Sequence, residues 1–512
     1  MKNLKVRAAA LAAGIILVGG VGWAQRGGGD WQTAGFDAQR SSWLRGDGKI
    51  SVESMSKPGY KMIWKIKTPN AARHGSALTP PALLDFFIGH RGFRTLAFVG
   101  ASGNSAMGID TDLGKMEWTA TFAKTEGLDG TTAACPGGMT SAVTRPVSLG
   151  YPGAAQGRGF GRGAMPKSAV GEPLEGAAGL KELAARRPQQ GFGPPGGPPQ
   201  AAGAKPQRTA PPPNPFQRQT QWVHALTSDG KFHSVYVSNG DEPIGPIDFL
   251  PAGARATGLL VSNRIAYVAT VNNCGGVPDG IWSLDIEAKK VTSWKAPGTI
   301  AGANGFSVSP EGLIYVAAGK QLTILDPKTL AVKGSVTAGA DFNSSPLLFD
   351  QKDHDMVAIT TTGGQLHIFD GENLGSKPVA SLATAAGGYS VGAIASWMDS
   401  TNARWILVPT ANSVETFQFA DGALKAAWKS HALAGAATPI VVNGVVFALS
   451  TGGKTGKAVL YALDGMNGKE LWNSGAAITS NVTTGGMSSG GGRVYVSGVD
   501  GTQYAFGFHL EI

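Results

Sequence analysis

One unit recurs along this chain and narrows the folds open to it. Near the C-terminus, Pro439-Ile-Val-Val-Asn-Gly-Val-Val-Phe-Ala-Leu-Ser450 is followed by Ala458-Val-Leu-Tyr-Ala-Leu-Asp464 and then by Gly468-Lys-Glu-Leu-Trp472. These are alternating apolar runs broken by Asn-Gly and Gly-Gly. Alternation of period two is the strand signal and Asn-Gly the hairpin signal. Four short antiparallel strands in about 45 residues make a propeller blade. Related units occupy 96–118, 264–294, 313–326, 356–370 and 405–428. A degenerate copy runs from Pro146-Val-Ser-Leu to Trp222 and Val235, around a long insertion. The last copy, 493–506, lacks a closing strand, and Tyr60-Lys-Met-Ile-Trp64 lacks strands to pair with. Joined, the two fragments remove both free sheet edges. The expectation is an all-β, eight-bladed β-propeller of four-stranded blades, with seven blades as the alternative.

Composition agrees with this. Glycine is 75 of 512 residues, about twice its usual share, which disfavours helices. Two cysteines exclude a disulfide scaffold and cysteine-built zinc or iron–sulfur centres. The net charge of +9 is misleading, because residues 1–24 carry +3 and residues 150–218 carry +6. The remaining body is neutral, so no nucleic-acid-binding face is expected.

Lys2, Lys5 and Arg7 precede the apolar stretch 8–22, and Gly22-Trp23-Ala24 offers small residues for cleavage. Residues 1–24 read as a signal peptide cleaved after Ala24, with an uncleaved anchor as the alternative; fifteen apolar residues are short for a membrane span. The expected location is periplasmic or secreted, without stable membrane insertion. Propeller sequence then covers 25–149 and 219–512. Residues 150–218 hold 13 of the 30 prolines, 14 glycines and nine Lys/Arg, a composition that reads as disordered. This insertion is either a basic tether for an acidic partner or an anionic envelope surface, or a tolerated loop.

The motif Asp464-x-x-x-Gly468-Lys-x-x-Trp472 reads as structural: the carboxylate satisfies turn N–H groups, the glycine supplies positive φ and the indole packs between blades. A site belongs at the mouth of the central channel, on the face where inner strands begin. His74, Thr79, Arg145, Arg255, Asn304, Asp341, Asn343 and Tyr389 fall there. Arg145 and Arg255 are suited to hold a carboxylate, and Asn304 and Asn343 to orient it; each also reads as an ordinary turn residue. Cys135 and Cys274 fall on the same face, as a disulfide or as two thiols. The histidines show no metal-ligand spacing.

Leu460-Tyr-Ala-Leu-Asp-Gly-Met-Asn-Gly-Lys-Glu-Leu-Trp472 and the opening Trp31-Gln-Thr-Ala-Gly-Phe-Asp-Ala-Gln-Arg-Ser-Ser-Trp43 resemble the pyrroloquinoline quinone (PQQ) repeat propellers, the quinoprotein dehydrogenase-like family. The resemblance covers 30–149 and 219–512. Its enzymes hold PQQ with Ca²⁺ or a lanthanide at the centre of this face, oxidise alcohols or aldoses and use an aspartate base. That role would fall to Asp341, with Arg145, Arg255, Asn304, Asn343 and Tyr389 around the cofactor. The alcohol-oxidising type uses a disulfide of adjacent cysteines; Cys135 and Cys274 are not adjacent. Other members serve outer-membrane assembly as peptide-binding platforms and are often lipoproteins; no cysteine follows Ala24 here. The expected function is a ligand- or protein-binding platform, with a PQQ-dependent oxidoreductase as the alternative.

Overall fold

A computed structural model of the chain describes residues 30–70, 78–89, 92–122, 132–151, 221–375, 377–389, 391–453 and 456–509. The leader 1–24, His74 and nearly all of 150–218 lie outside the described residues.

Eight sheets form eight blades. The first blade is Ala82–Gly89, Gly92–Ala101, Ser105–Asp110 and Lys115–Thr121. The third is Ala256–Ser262, Ile265–Thr270, Gly280–Asp285 and Lys290–Lys295. Blades four, five, six and seven begin with the inner strands Phe306–Val308, Leu347–Gln351, Ala395–Met398 and Ile440–Val442. In the eighth, Tyr60–Lys67 pairs antiparallel with Thr502–Phe508, and Arg493–Gly498 and Val482–Gly490 complete the sheet. The closing strand therefore comes from the N-terminal part of the chain, as its orphaned pattern implies.

The second blade departs from the expectation of four strands. Trp222–Leu226, Lys231–Tyr236 and Ile247–Asp248 form its sheet, and its inner strand shrinks to one bridge, Thr144 to His224. Pro146, lacking an N–H, leaves that ladder and pairs parallel with Val261 of the third blade. Tyr151 is anchored to the fifth blade, its Oη donating to Asp355 Oδ1 at 2.7 Å. Burial pushes the Asp355 carboxyl up to about 6.

The repeated motif joins blades as its chemistry suggests. Asp464 Oδ1 accepts the Met466 N–H at 2.9 Å, and Asp285 and Asp326 make equivalent turn bonds. Trp428 of the sixth blade donates its indole N–H to Gly465 O of the seventh at 2.9 Å. Gly468, at φ +73°, lies on that indole; a Cβ there would come within 2.5 Å of the ring. Trp118 and Trp64 reach the next blade in the same way, to Val237 O and Thr111 O.

The segment Asp30 to Leu44 runs around the inner edge of the ring. Carbonyls of Trp31, Gln32, Ala38, Gln39, Ser41 and Ser42 accept the N–H groups of Leu83, Arg145, Val308, Leu348, Ser396 and Val441. Those donors belong to blades one, two, four, five, six and seven. The third blade is held by side chains, Thr33 Oγ1 to Leu259 O and Arg40 to Gly258 O. The segment thus satisfies inner-edge donors that would otherwise be buried without partners. Trp43–Leu44 then adds to the seventh blade as a parallel fifth strand.

Candidate functional site

Above this segment lies a cavity of about 860 Å³ at the face where the inner strands begin. Every blade lines it, from Thr79 before the first to Met487 in the eighth, while Trp31, Gly35 and Ser42 line it from the N-terminal segment. Gly35 sets the shape of the floor. At φ +71° it is strained for any other residue, and a Cβ would lie 2.9 Å from Asn304 Nδ2 and 3.2 Å from Arg40 Cα.

Six of the eight residues expected at the mouth line this cavity: Thr79, Arg255, Asn304, Asp341, Asn343 and Tyr389. Their roles divide. Asn343 is spent on the rim, donating Nδ2 to Ala386 O (3.0 Å) and Tyr389 O (3.1 Å) and accepting from Thr360 Oγ1 (2.6 Å). Tyr389 donates its hydroxyl to Ala436 O at 2.9 Å, tying the rim to the seventh blade, and burial raises its phenol pKa. Arg145 is not a lining residue. It is 2% exposed and does hold a carboxylate, that of Asp30 at 2.5 Å, together with Leu83 O at 3.0 Å.

Arg255, Asn304 and Asp341 keep binding capacity. Arg255 Nη1 donates to Ala134 O at 2.7 Å, and no carboxylate among the described residues pairs with it. Burial lowers its pKa, the sign of a cation held partly out of water. Asn304 is 7% exposed; its backbone N–H bonds Ser345 Oγ, while its side-chain amide has no partner among the described residues. Asp341 is exposed at the rim. Its backbone oxygen accepts from Thr362, and its carboxylate has no hydrogen bond or ion pair among the described residues. These three residues stand before the inner strands of blades three, four and five.

Of the two readings for the cysteines, the structure shows the bond: Cys135 and Cys274 are joined, with Cα atoms 5.6 Å apart and a separation of 139 in sequence. The bond fixes the strap carrying Ala133 and Pro136, both cavity-lining. Ala134 O on this strap also accepts from Asn272 Nδ2 at 3.0 Å. Replacing both cysteines by serine is expected to cost about 3 kcal/mol, since the bond closes a long loop in the unfolded chain. Chemical denaturation with and without reductant checks this; an unchanged midpoint would contradict it.

Comparison with known proteins agrees with the architecture. No family model matches the chain, and no curated protein does. Solved structures do match: the quinohemoprotein alcohol dehydrogenase from Comamonas testosteroni is similar at 13% identity and TM-score 0.56, over 93% of this chain and 80% of that one. A europium-containing methanol dehydrogenase matches at 10% identity and TM-score 0.54, over 95% and 99%. BamB from Moraxella catarrhalis matches at 11% and 0.51, over 88% and 99%. The likeness is one of fold. It shows the β-propeller architecture, and at these identities it assigns neither family nor activity.

The donor set tests whether a quinone with a divalent cation suits this cavity. Ca²⁺ takes six to eight oxygen ligands, usually with several carboxylates. Asp341 is the one acidic side chain among the described lining residues. No group of three or more His, Cys, Asp or Glu side chains gathers among the described residues. A base beside the metal would need a further carboxylate. The described lining residues do not fit the metal–quinone pair.

Sequence reasoning missed the floor. Trp31, Gly35 and Arg40 lie in the opening segment already singled out for its resemblance, but that segment has no strand or helix period. Its available signal was a cluster of Gly, Ser and Asp beside a lone arginine.

Proposed function

We propose that this chain is a binding platform that takes a ligand in the axial cavity. The observation that carries the reading is the lining itself. All eight blades converge on a preformed cup within the usual size of ligand sites, and among the described residues its lining offers one available guanidinium and one available carboxylate in place of a metal-ligating cluster. The oxidoreductase reading has the fold in its favour and lacks the residues. A disulfide at the rim supports an oxidising compartment, in keeping with the leader-like sequence 1–24, and no helix among the described residues is long and apolar enough to cross a membrane. Protein partners at the same face, and anionic surfaces for the basic insertion, belong to this proposal as well.

The test is a titration of the purified protein with PQQ and Ca²⁺, followed by tryptophan fluorescence. The chain has 12 tryptophans and Trp31 lines the cavity, so a bound quinone would quench. The expected result is no saturable, calcium-dependent quenching at micromolar PQQ. Saturable quenching would establish the oxidoreductase reading in its place.

A further inference from the structure

We infer that the cavity recognises an amphoteric small molecule, one carboxylate and one ammonium group joined by an extended spacer, with Arg255 taking the carboxylate, Asp341 the ammonium and Asn304 a polar group between them. The inference rests on the platform reading and names its ligand class.

Among the described lining residues, Arg255 is the one cation and Asp341 the one anion. Neither is neutralised by the other or by any other described side chain. They stand on blades three and five, with Asn304 on blade four between them. A purely anionic ligand in the same cup would leave Asp341 facing it uncompensated, and a purely cationic one would leave Arg255 so. A molecule carrying both charges satisfies both groups at once. Arg255 is held partly out of water, where a charge-assisted pair with a carboxylate gains more than it would at an open surface. Asn304 reinforces this, because its side-chain amide lines the cavity and has no hydrogen-bond partner among the described residues.

Two features hold the recognising groups in place. Arg255 is steadied by Ala134 O on the disulfide-fixed strap. Asn304 is held by its backbone N–H bond to Ser345 Oγ at 2.9 Å and sits over Gly35, whose missing Cβ leaves room for the amide. The separation across an intervening blade implies a spacer longer than the single carbon of glycine.

The test is calorimetric titration of the intact protein with glycine, 4-aminobutanoate, 6-aminohexanoate and 8-aminooctanoate, with hexanoate and hexylammonium as single-charge controls. One of the three longer zwitterions is expected to bind at least tenfold more tightly than glycine and than either control. Arg255→Gln and Asp341→Asn should each remove at least tenfold of that affinity, with thermal midpoints close to that of the unaltered protein. Hexanoate binding as tightly as the best zwitterion overturns the inference in favour of a plain anion site. Hexylammonium doing so overturns it in favour of a plain cation site, and no binding by any zwitterion at millimolar concentration overturns it outright. None of these failures touches the platform reading, which stands or falls on the quinone titration.

Discussion

Replacing Arg40 by methionine is expected to cost the propeller about 5 kcal/mol of stability. The guanidinium is 1% exposed and donates to Phe306 O at 3.0 Å, Ala34 O and Gly258 O at 2.7 Å, and Thr33 Oγ1 at 3.0 Å. Removing it strands the two buried carbonyls of Phe306 and Gly258, each costing on the order of 1–3 kcal/mol, and the half-buried one of Ala34. It also releases the N-terminal segment from blades three and four at once. Lysine will not rescue it, since a single ammonium cannot reproduce the planar fork that meets four acceptors. The check is equilibrium denaturation of Arg40→Met and Arg40→Lys beside the unaltered protein. A loss below about 1 kcal/mol would show that water reaches those carbonyls and that the segment is not held as described.

The second large effect is a dependence on pH at the seam between the first and eighth blades. Asp85 lies in the first blade's inner strand, where the register slips between Leu84 and Phe87. Burial, then the neighbouring Asp30 carboxylate, pushes the Asp85 carboxyl up to about 7. Its Oδ2 receives the Gly491 N–H of the eighth blade at 3.3 Å, and Oδ1 has no partner. A carboxyl with a raised folded-state pKa contributes stability that is fully present below its ordinary value near 3.8 and is lost as pH rises to about 7. Three pH units correspond to roughly 4 kcal/mol, an upper bound because water can enter a seam. Asp85→Asn should therefore be more stable than the unaltered protein at pH 8 and similar to it at pH 4, with a flatter profile between. Measuring unfolding free energy at these two values decides it. Equal stability at pH 8 would mean the carboxyl ionises without penalty.

The blades were legible because each repeats a local pattern. Val445-Val-Phe-Ala-Leu alternates, Asn443-Gly444 turns, and Trp428 and Gly468 occupy fixed places in the unit. Tyr60–Trp64 could be assigned to the last blade because it had strand pattern and no neighbour. The rim residues followed from the same logic, since knowing where inner strands begin places Arg255, Asn304 and Asp341 at the mouth. Arg145 had equal claim by position, and what removed it was a contact 115 residues away in sequence, with Asp30. No spacing rule predicts such a pair. Asn343 and Tyr389 were likewise placed correctly and occupied by backbone carbonyls of neighbouring loops. The floor was illegible for a different reason: it is irregular backbone, with Phe36, Arg40 and Ser42 at positive φ. Its hydrogen bonds go to strands scattered through the whole chain.

That scattering has a consequence for how the protein is made. During synthesis, residues 30–60 emerge early, yet Gly46 N finds its acceptor on Asn443, 397 residues later, and Tyr60 Oη bonds Phe506 O, 446 residues later. Blades can form as they leave the ribosome, because their contacts are local. The segment that lines the ring's inner edge cannot settle until the seventh blade exists, and the ring cannot shut until the eighth does. A nascent chain halted before residue 440 would carry an unclosed arc of blades whose end sheets lack neighbours, a state open to edge-to-edge association. The last step is then long-range and cooperative, and it is slow on loop-closure grounds. The cavity comes into being only at that step, so an unfinished chain has no place in which to hold a ligand.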